Sequence, residues 1–140
     1  MKTSMSIPYA DGEKSFRLDE RNLQHNLVPR LPARPTSTEE EDTVSEALQN
    51  PIGTKTIKEL TDKGDKVVLL VDDWTRPTPA YKVVPVIVEE LLSGGVRVND
   101  VTIIIARGTH SPLNKQQMID KLGEKIVERF HVENHDPTDN

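Results

Sequence analysis

Side chains that can do chemistry are concentrated in two short polar stretches, and each stretch follows an apolar run. The first is DDWTRPTP, residues 72–79, which comes after KVVLLV. The second is ARGTHSP, residues 106–112, which comes after VTIII. Together they hold carboxylates, hydroxyls, guanidinium groups, an indole and an imidazole, which are groups that bind anions and exchange protons. The two stretches therefore predict a ligand site.

In the first stretch, Arg76 offers a planar fork of donors that suits a carboxylate or a phosphate. An ion pair with Asp72 or Asp73 is an equally weighted alternative. Asp73 could orient Arg76 or accept a hydrogen bond from a sugar hydroxyl. Asp72 lies nearer the strand, which favours a structural role.

The hydroxyls of Thr75 and Thr78 could donate to a phosphate beside the first free N–H groups of the following helix. Thr78 could equally be only the helix cap. Trp74 could stack on a ring of a ligand, although a single tryptophan is more often a packing residue.

In the second stretch, His110 is the side chain that can take and return a proton near neutral pH. Its position after an apolar strand, between Gly108 and Pro112, favours a catalytic role. His135 and Asp136 could form an oriented pair, but a solvated tail is the simpler interpretation. The histidines lack a zinc spacing, and neither a cysteine nor a Gly-x-Ser-x-Gly elbow offers a nucleophile. We assign no metal ligand.

The elements that must position these residues indicate an α/β fold, with a Rossmann-like parallel sheet and flanking helices after an N-terminal β-hairpin. Residues 1–37 are predicted to form the hairpin, turning at Asp11-Gly12, and a proline-spaced linker. Residues 38–140 form the α/β portion. Its predicted elements are a helix capped by Thr38 and ended by Asn50-Pro51, a short helix at 56–61, a strand at 66–71 and a helix from Thr78 to Gly94. A strand at 101–106 follows, then a helix from Asn114 that ends at Leu122-Gly123 and continues after a kink from Glu124 to Phe130, and a polar tail read as a loop.

Two buried strands joined by an amphipathic helix form a βαβ unit, and ligands bind beyond the carboxyl ends of such strands. Both polar stretches lie at that edge. Asp73, Thr75 and Arg76 are therefore expected to share a cleft with Thr109 and His110.

Composition narrows the class of protein. The chain has 140 residues, no cysteine and a net charge of −5 without a basic block, which excludes an electrostatic nucleic-acid footprint. The sequence offers neither a signal peptide nor an apolar run long enough for a membrane span. We expect a soluble cytoplasmic protein.

The motifs resemble those of a known family. DDWTRPTP and ARGTHSPL, each after an apolar strand, with the later NHD and the earlier ALQNPIGTKTIKEL, are similar to the N-terminal part of nickel-dependent lactate racemases. The resemblance runs from about Tyr9 to Asp136. It implies a nickel-pincer nucleotide, a pyridinium-3,5-bisthiocarboxylic acid mononucleotide that holds nickel and is tethered to a lysine, and a substrate such as lactate or another 2-hydroxy acid.

For individual residues, the resemblance implies that Asp73, Trp74, Thr75 and Arg76 contact the cofactor's phosphate or the substrate carboxylate. His110 is one of two acid/base histidines in a racemisation that proceeds by hydride transfer. Family members are much longer than this chain. The second histidine, the tethering lysine and the nickel-binding histidine are expected outside it, in a missing C-terminal portion or a partner chain.

We therefore expect a fragment or a truncated gene product that is inactive alone. The alternative is a non-catalytic α/β module that binds a phosphate-bearing small molecule or docks to a partner chain.

Overall fold

A computed structural model describes residues 1–27 and 37–138, without the side chains of residues 37–39 and 41. The chain divides into two compact units, Met1–Arg34 and Pro35–Asn140. The first unit is the predicted hairpin, made of β1 (Lys2–Tyr9) and β2 (Gly12–Asp19), followed by a short 3-10 helix (Glu20–Asn22). Most of the predicted proline-spaced linker, residues 28–36, lies outside the described residues.

The hairpin turns one residue earlier than predicted. Tyr9 pairs with Gly12, so Ala10 and Asp11 form the turn, and Ala10 takes a positive φ of 50°. Gly12 belongs to β2. All eight residue pairs of the hairpin, from Lys2 opposite Asp19 to Tyr9 opposite Gly12, follow this register.

The second unit is an α/β arrangement, as predicted. Its sheet contains three parallel strands in the order β3-β4-β5. In chain order the elements are α1 (Ser37–Gln49), α2 (Ile57–Leu60), β3 (Val67–Asp72), α3 (Ala80–Ser93), a 3-10 helix (Val98–Asp100), β4 (Val101–Ala106), α4 (Lys115–Leu122), α5 (Glu124–Arg129) and β5 (His131–Asn134).

The strand β5 corrects the prediction that the polar tail is a loop. It pairs in parallel with β4, from Thr102 opposite His131 to Ile105 opposite Asn134. HVEN contains a single aliphatic residue, and only alternate side chains are half-buried, so hydrophobic periodicity gave no strand signal. As a consequence, the loop after β5 reaches the same edge of the sheet as the two polar stretches.

The helix ends agree with the sequence in part. Asn114 and Gln117 form the predicted capping box of α4, and α3 ends at Gly94 as expected.

Thr78 is not the cap of α3, because the helix begins at Ala80 and the Thr78 hydroxyl donates to Asp72 instead. The helix α1 begins at Ser37, one residue before the predicted cap Thr38, whose side chain lies outside the described set.

The core lies on one face of the sheet. Alternate residues of β4 are fully buried against apolar side chains of α3, α4 and α5; the most buried residues are Val88, Val101, Ile103, Ile105 and Leu122. On the opposite face of β3, Val68 and Leu70 are 56% and 67% exposed. The continuous apolar run predicted a buried strand, but within the described part of the chain β3 is covered on one face only.

Close packing fixes the end of α3. A Cβ at Gly94 would lie 2.5 Å from Thr61 Oγ1, just after α2, so this position requires glycine. Pro85 lies within α3 without ending it.

No helix in the described ranges 1–27 and 37–138 is long and apolar enough to cross a membrane.

Candidate functional site

The carboxyl ends of β3 and β4 form a cleft of about 290 Å³. The two polar stretches meet there, as their positions after neighbouring parallel strands predict. The lining residues are Asp72, Asp73, Arg76, Ala106, Arg107, Gly108, Thr109 and His110.

Asp73 and His110 are in direct contact in this cleft. Asp73 is only 4% exposed, and its Oδ2 meets Nδ1 of His110, whose side chain is 53% exposed. Asp73 Oδ1 accepts hydrogen bonds from the Thr75 hydroxyl at 2.5 Å and the Thr75 N–H at 3.1 Å. The Thr75 hydroxyl, the contact with His110 and the Thr75 N–H lower the pKa of Asp73 to about 2.

This contact fixes the tautomer of the imidazole. An ionised carboxylate only accepts hydrogen bonds, so Nδ1 of His110 must carry the proton that lies between the two groups. In the neutral ring, Nε2 is then the unprotonated nitrogen. A carboxylate that orients a histidine in this way leaves the outer nitrogen available as a general base.

The loop after β4 turns sharply to present His110. Gly108 has a φ of 56°, and the N–H of His110 donates to the Arg107 carbonyl at 3.0 Å. Arg107 closes the loop by donating from Nη1 to the carbonyl of His110. The Nε of Arg107 is buried and has no hydrogen-bond partner among the described residues.

Arg76 is not the partner of either neighbouring aspartate. Asp73 is occupied by Thr75 and His110, while Asp72 accepts from the Thr78 hydroxyl at 2.5 Å and meets Lys121 at 2.8 Å. Within the described residues, the Arg76 guanidinium makes no ion pair and lines the cleft. The ion-pair alternative for Arg76 is therefore wrong in this part of the chain.

Trp74 lies in a different cleft from His110. It is 58% exposed and, with Gln117, Asp120 and Lys121, lines a cavity of about 250 Å³ beside α4. The stretch 72–79 thus faces two clefts, with Arg76 on one and Trp74 on the other.

Sequence reasoning missed two residues that hold the site loops. Lys121 of α4 is buried against the 72–79 stretch. The Asn134 side chain accepts from Leu113 N–H at 2.9 Å and donates to the Leu113 carbonyl at 3.0 Å, which fastens the end of the His110 loop. The only available signal for Asn134 was its place in the NHD motif, and Lys121 had none.

The loop after β5 meets the β4 loop at the same edge. The N–H of His135 donates to the Ile105 carbonyl at 3.0 Å. Hydrogen bonds from the backbone and side chain of Thr138 lower the pKa of Asp136, and the nearby charges of Arg107 and His135 lower it further. Neither His135 nor Asp136 is among the residues that line the His110 cleft.

The cleft suits an anion better than a metal ion. Two guanidinium groups, Arg76 and Arg107, border it, and both have donors left over. The residues that the structure describes include no group of three His, Cys, Asp or Glu side chains able to hold a metal ion.

Comparison with known proteins identifies the family of this chain. Residues 9–140 match the family model described as the lactate racemase N-terminal domain. The chain belongs to this family. It is 33% identical over 133 residues to the lactate racemase of Thermoanaerobacterium thermosaccharolyticum, covering 95% of this chain and 31% of that protein. It is 28% identical over 136 residues to the lactate racemase of Lactiplantibacillus plantarum, covering 97% and 32%.

Solved structures agree on the fold. The lactate racemase apoprotein of T. thermosaccharolyticum superposes with a TM-score of 0.74 and 32% identity, over 96% of this chain and 30% of that one. A Thermotoga maritima protein superposes with a TM-score of 0.51 and 22% identity, over 74% and 22%, which shows a shared fold alone. The chain thus spans less than a third of the length of the lactate racemases that it matches.

Proposed function

We propose that this chain is the N-terminal portion of a racemase that interconverts the enantiomers of lactate or a related 2-hydroxy acid. In this proposal His110 is an acid/base residue and the cleft around it receives the reactants. The Asp73–His110 contact is the observation that supports the proposal most strongly, because it joins one residue from each of the two motifs that define the resemblance.

Each site residue has a proposed task. Nε2 of His110 removes the proton from the substrate hydroxyl and later returns it. Asp73 holds the ring by accepting from Nδ1–H and stabilises the imidazolium while the proton is on the ring. Thr75 fixes Asp73 through two hydrogen bonds, so its effect reaches the substrate through Asp73.

Arg76 is proposed to bind the carboxylate of the substrate or the phosphate of the cofactor. Its guanidinium borders the His110 cleft and is not neutralised by a described carboxylate. Trp74 is proposed to contact the cofactor from the adjoining cleft. The contacts of Asp73, Trp74, Thr75 and Arg76 with the cofactor remain predictions.

The proposed cofactor is the nickel-pincer nucleotide, which when bound supplies the acceptor for the hydride of the substrate α-carbon. The residues of this chain fit its anionic parts, and we assign no nickel ligand among them. The tethering lysine, the nickel ligand and the second acid/base histidine are proposed to come from a polypeptide that completes the enzyme. The chain alone is then inactive, and a cytoplasmic location remains a prediction.

The fate of the α-hydrogen tests this proposal. The chain, together with the polypeptide that completes it and with nickel-pincer nucleotide, is given one enantiomer of lactate deuterated at the α-carbon in ordinary water. Hydride transfer returns the same hydrogen, so the opposite enantiomer should keep its deuterium. Complete replacement by solvent hydrogen would indicate a carbanion mechanism and contradict the proposal, as would an absence of racemisation by the assembled enzyme.

A second function, a non-catalytic module for a phosphate-bearing small molecule, is favoured by one observation. The Arg76 guanidinium faces an open cleft without an ion-pair partner in the described residues, as an anion site requires. Calorimetry of the isolated chain with nicotinic acid mononucleotide tests this function. Tight binding without any other polypeptide would favour the module, and weak or undetectable binding would favour a portion of a larger enzyme.

A further inference from the structure

Lys121 is a buried cation enclosed by the loop that carries the site. It is only 7% exposed. Its Nζ lies 2.8 Å from Asp72 Oδ1 and donates to the carbonyls of Arg76 at 3.1 Å and Thr78 at 3.2 Å. The contact with Asp72 is an ion pair.

This arrangement offsets the cost of burying an ammonium group. Lysine is almost never buried without partners, because removal of the charge from water is expensive. Here all three oxygens come from residues 72–78, whereas Lys121 lies on α4, more than 40 residues later in the chain. The ammonium therefore links α4 to the β3–α3 loop.

Among the described residues, the other side-chain hydrogen bonds of the loop join its own residues, except for the contact of Asp73 with His110. Pro77 and Pro79 have no N–H to donate. The N–H of Arg76 donates to the Asp73 carbonyl at 3.2 Å, and the N–H of Thr75 donates to the Asp73 side chain. The N–H of Ala80 donates locally to the Thr78 carbonyl. Among the described contacts, the other hydrogen bonds to the carbonyls of Arg76 and Thr78 come from Lys121.

We propose that Lys121 is a positioning residue for this site. By holding the Arg76 carbonyl and Asp72, it fixes the backbone that aims the Arg76 guanidinium into the His110 cleft. This inference rests on the proposed function in one respect, namely that Arg76 binds an anion. Lys121 itself borders the Trp74 cleft and not the His110 cleft.

A purely structural ion pair with Asp72 is the competing explanation, and a double variant separates the two. Lys121→Met removes the charge and all three contacts, and it leaves Asp72 without its cation. Lys121→Met with Asp72→Asn removes both charges, so a simple ion-pair role predicts that stability and loop geometry recover together. A positioning role predicts recovery of stability only, because the two carbonyls still lack their donor.

Two measurements on the isolated chain test the proposal. Hydrogen exchange followed by NMR reports the protection of the Thr75 and Arg76 amides relative to Ile103 in the core. An NMR titration with nicotinic acid mononucleotide reports the affinity of the cleft. The variants are the single and double replacements, Lys121→Arg as the conservative change, and Lys125→Met as a control, since Lys125 is an exposed lysine of α5.

We expect both variants without the Lys121 ammonium to exchange at Thr75 and Arg76 about tenfold faster, with Ile103 unchanged. Their affinity should fall about tenfold, because the guanidinium is no longer held in place. Lys121→Arg should recover most of both properties, and Lys125→Met should match the wild type.

Wild-type exchange at Thr75 and Arg76 in the double variant would overturn the proposal. If the wild-type chain does not bind the mononucleotide measurably, as expected of a portion of a larger enzyme, hydrogen exchange alone decides the role of Lys121. If Lys121→Met unfolds, the double variant tests the positioning role in its place, because it has no unpaired carboxylate at position 72.

Discussion

Replacing Asp73 by asparagine should reverse the tautomer of His110. The amide oxygen can still accept the two hydrogen bonds from Thr75, which leaves the NH2 group toward Nδ1 of His110. An NH2 group donates, so Nδ1 becomes the acceptor and the ring proton moves to Nε2. The nitrogen that faces the cleft then cannot act as a base.

The expected loss in the rate of racemisation follows from the loss of His110 as a general base. A positioned general acid or base contributes about 10²–10⁴-fold to the rate of a reaction. Asp73→Asn keeps the side-chain volume and the hydrogen bonds from Thr75. The fold and the position of Arg76 in the cleft should therefore persist. We therefore expect racemisation by the completed enzyme to fall by about a hundredfold or more, with little change in the affinity of the cleft for anions.

The tautomer can be read directly from the isolated chain. Imidazole 15N shifts at alkaline pH, where the ring is neutral, distinguish a proton on Nδ1 from one on Nε2. The wild type should carry it on Nδ1 and Asp73→Asn on Nε2. Glu128→Gln, an exposed replacement on α5, is the control and should match the wild type. A wild-type ring protonated on Nε2, or an unchanged tautomer in Asp73→Asn, would show that Asp73 does not set the tautomer of His110.

Three further predictions concern stability, measured by urea denaturation. Because contacts in the fold lower the pKa of Asp73 from 3.8 to about 2, its stabilising contribution is complete above pH 3.8 and lost toward pH 2. The difference between the wild type and Asp73→Asn should shrink over that window, and a constant difference would contradict the contacts. Asn134→Ala should cost about 1–3 kcal/mol, because it leaves two backbone groups of Leu113 without partners. A cost near zero would show that water replaces the amide. Leu122→Ala, at a position with no exposure, should cost about 2–5 kcal/mol, whereas Leu70→Ala on the bare sheet face should cost under about 0.5 kcal/mol. Equal costs would mean that this face is covered.

The sequence predicted the elements whose periodicity is strong. The stripe of α3, the β-branched run of β4 and the capping box of α4 each have a local physical cause, so the βαβ unit could be predicted from the sequence alone. The meeting of Asp73 and His110 at one sheet edge followed from that topology.

The remaining features depend on contacts between distant residues. HVEN becomes a strand because it pairs with β4, and its own hydrophobicity is too low to indicate this. Thr78 had a suitable position for a helix cap, but its hydroxyl donates a hydrogen bond to the Asp72 carboxylate at the end of β3. Lys121 looks like an ordinary helix lysine in the sequence, and only the fold brings three oxygens around it.

The exposure of Val68 and Leu70 shows a different limit. A continuous apolar run indicates a strand covered on both faces, and parallel sheets normally have helices on both sides. In the described residues the core lies on one face only.

The most direct test of the central claim is the rate of lactate racemisation by the completed enzyme with His110→Ala, measured at equal nickel content. If His110 is an acid/base residue, the variant should hold as much nickel as the wild type and lose about 10²–10⁴-fold in rate. Wild-type turnover by a nickel-loaded His110→Ala enzyme would contradict it.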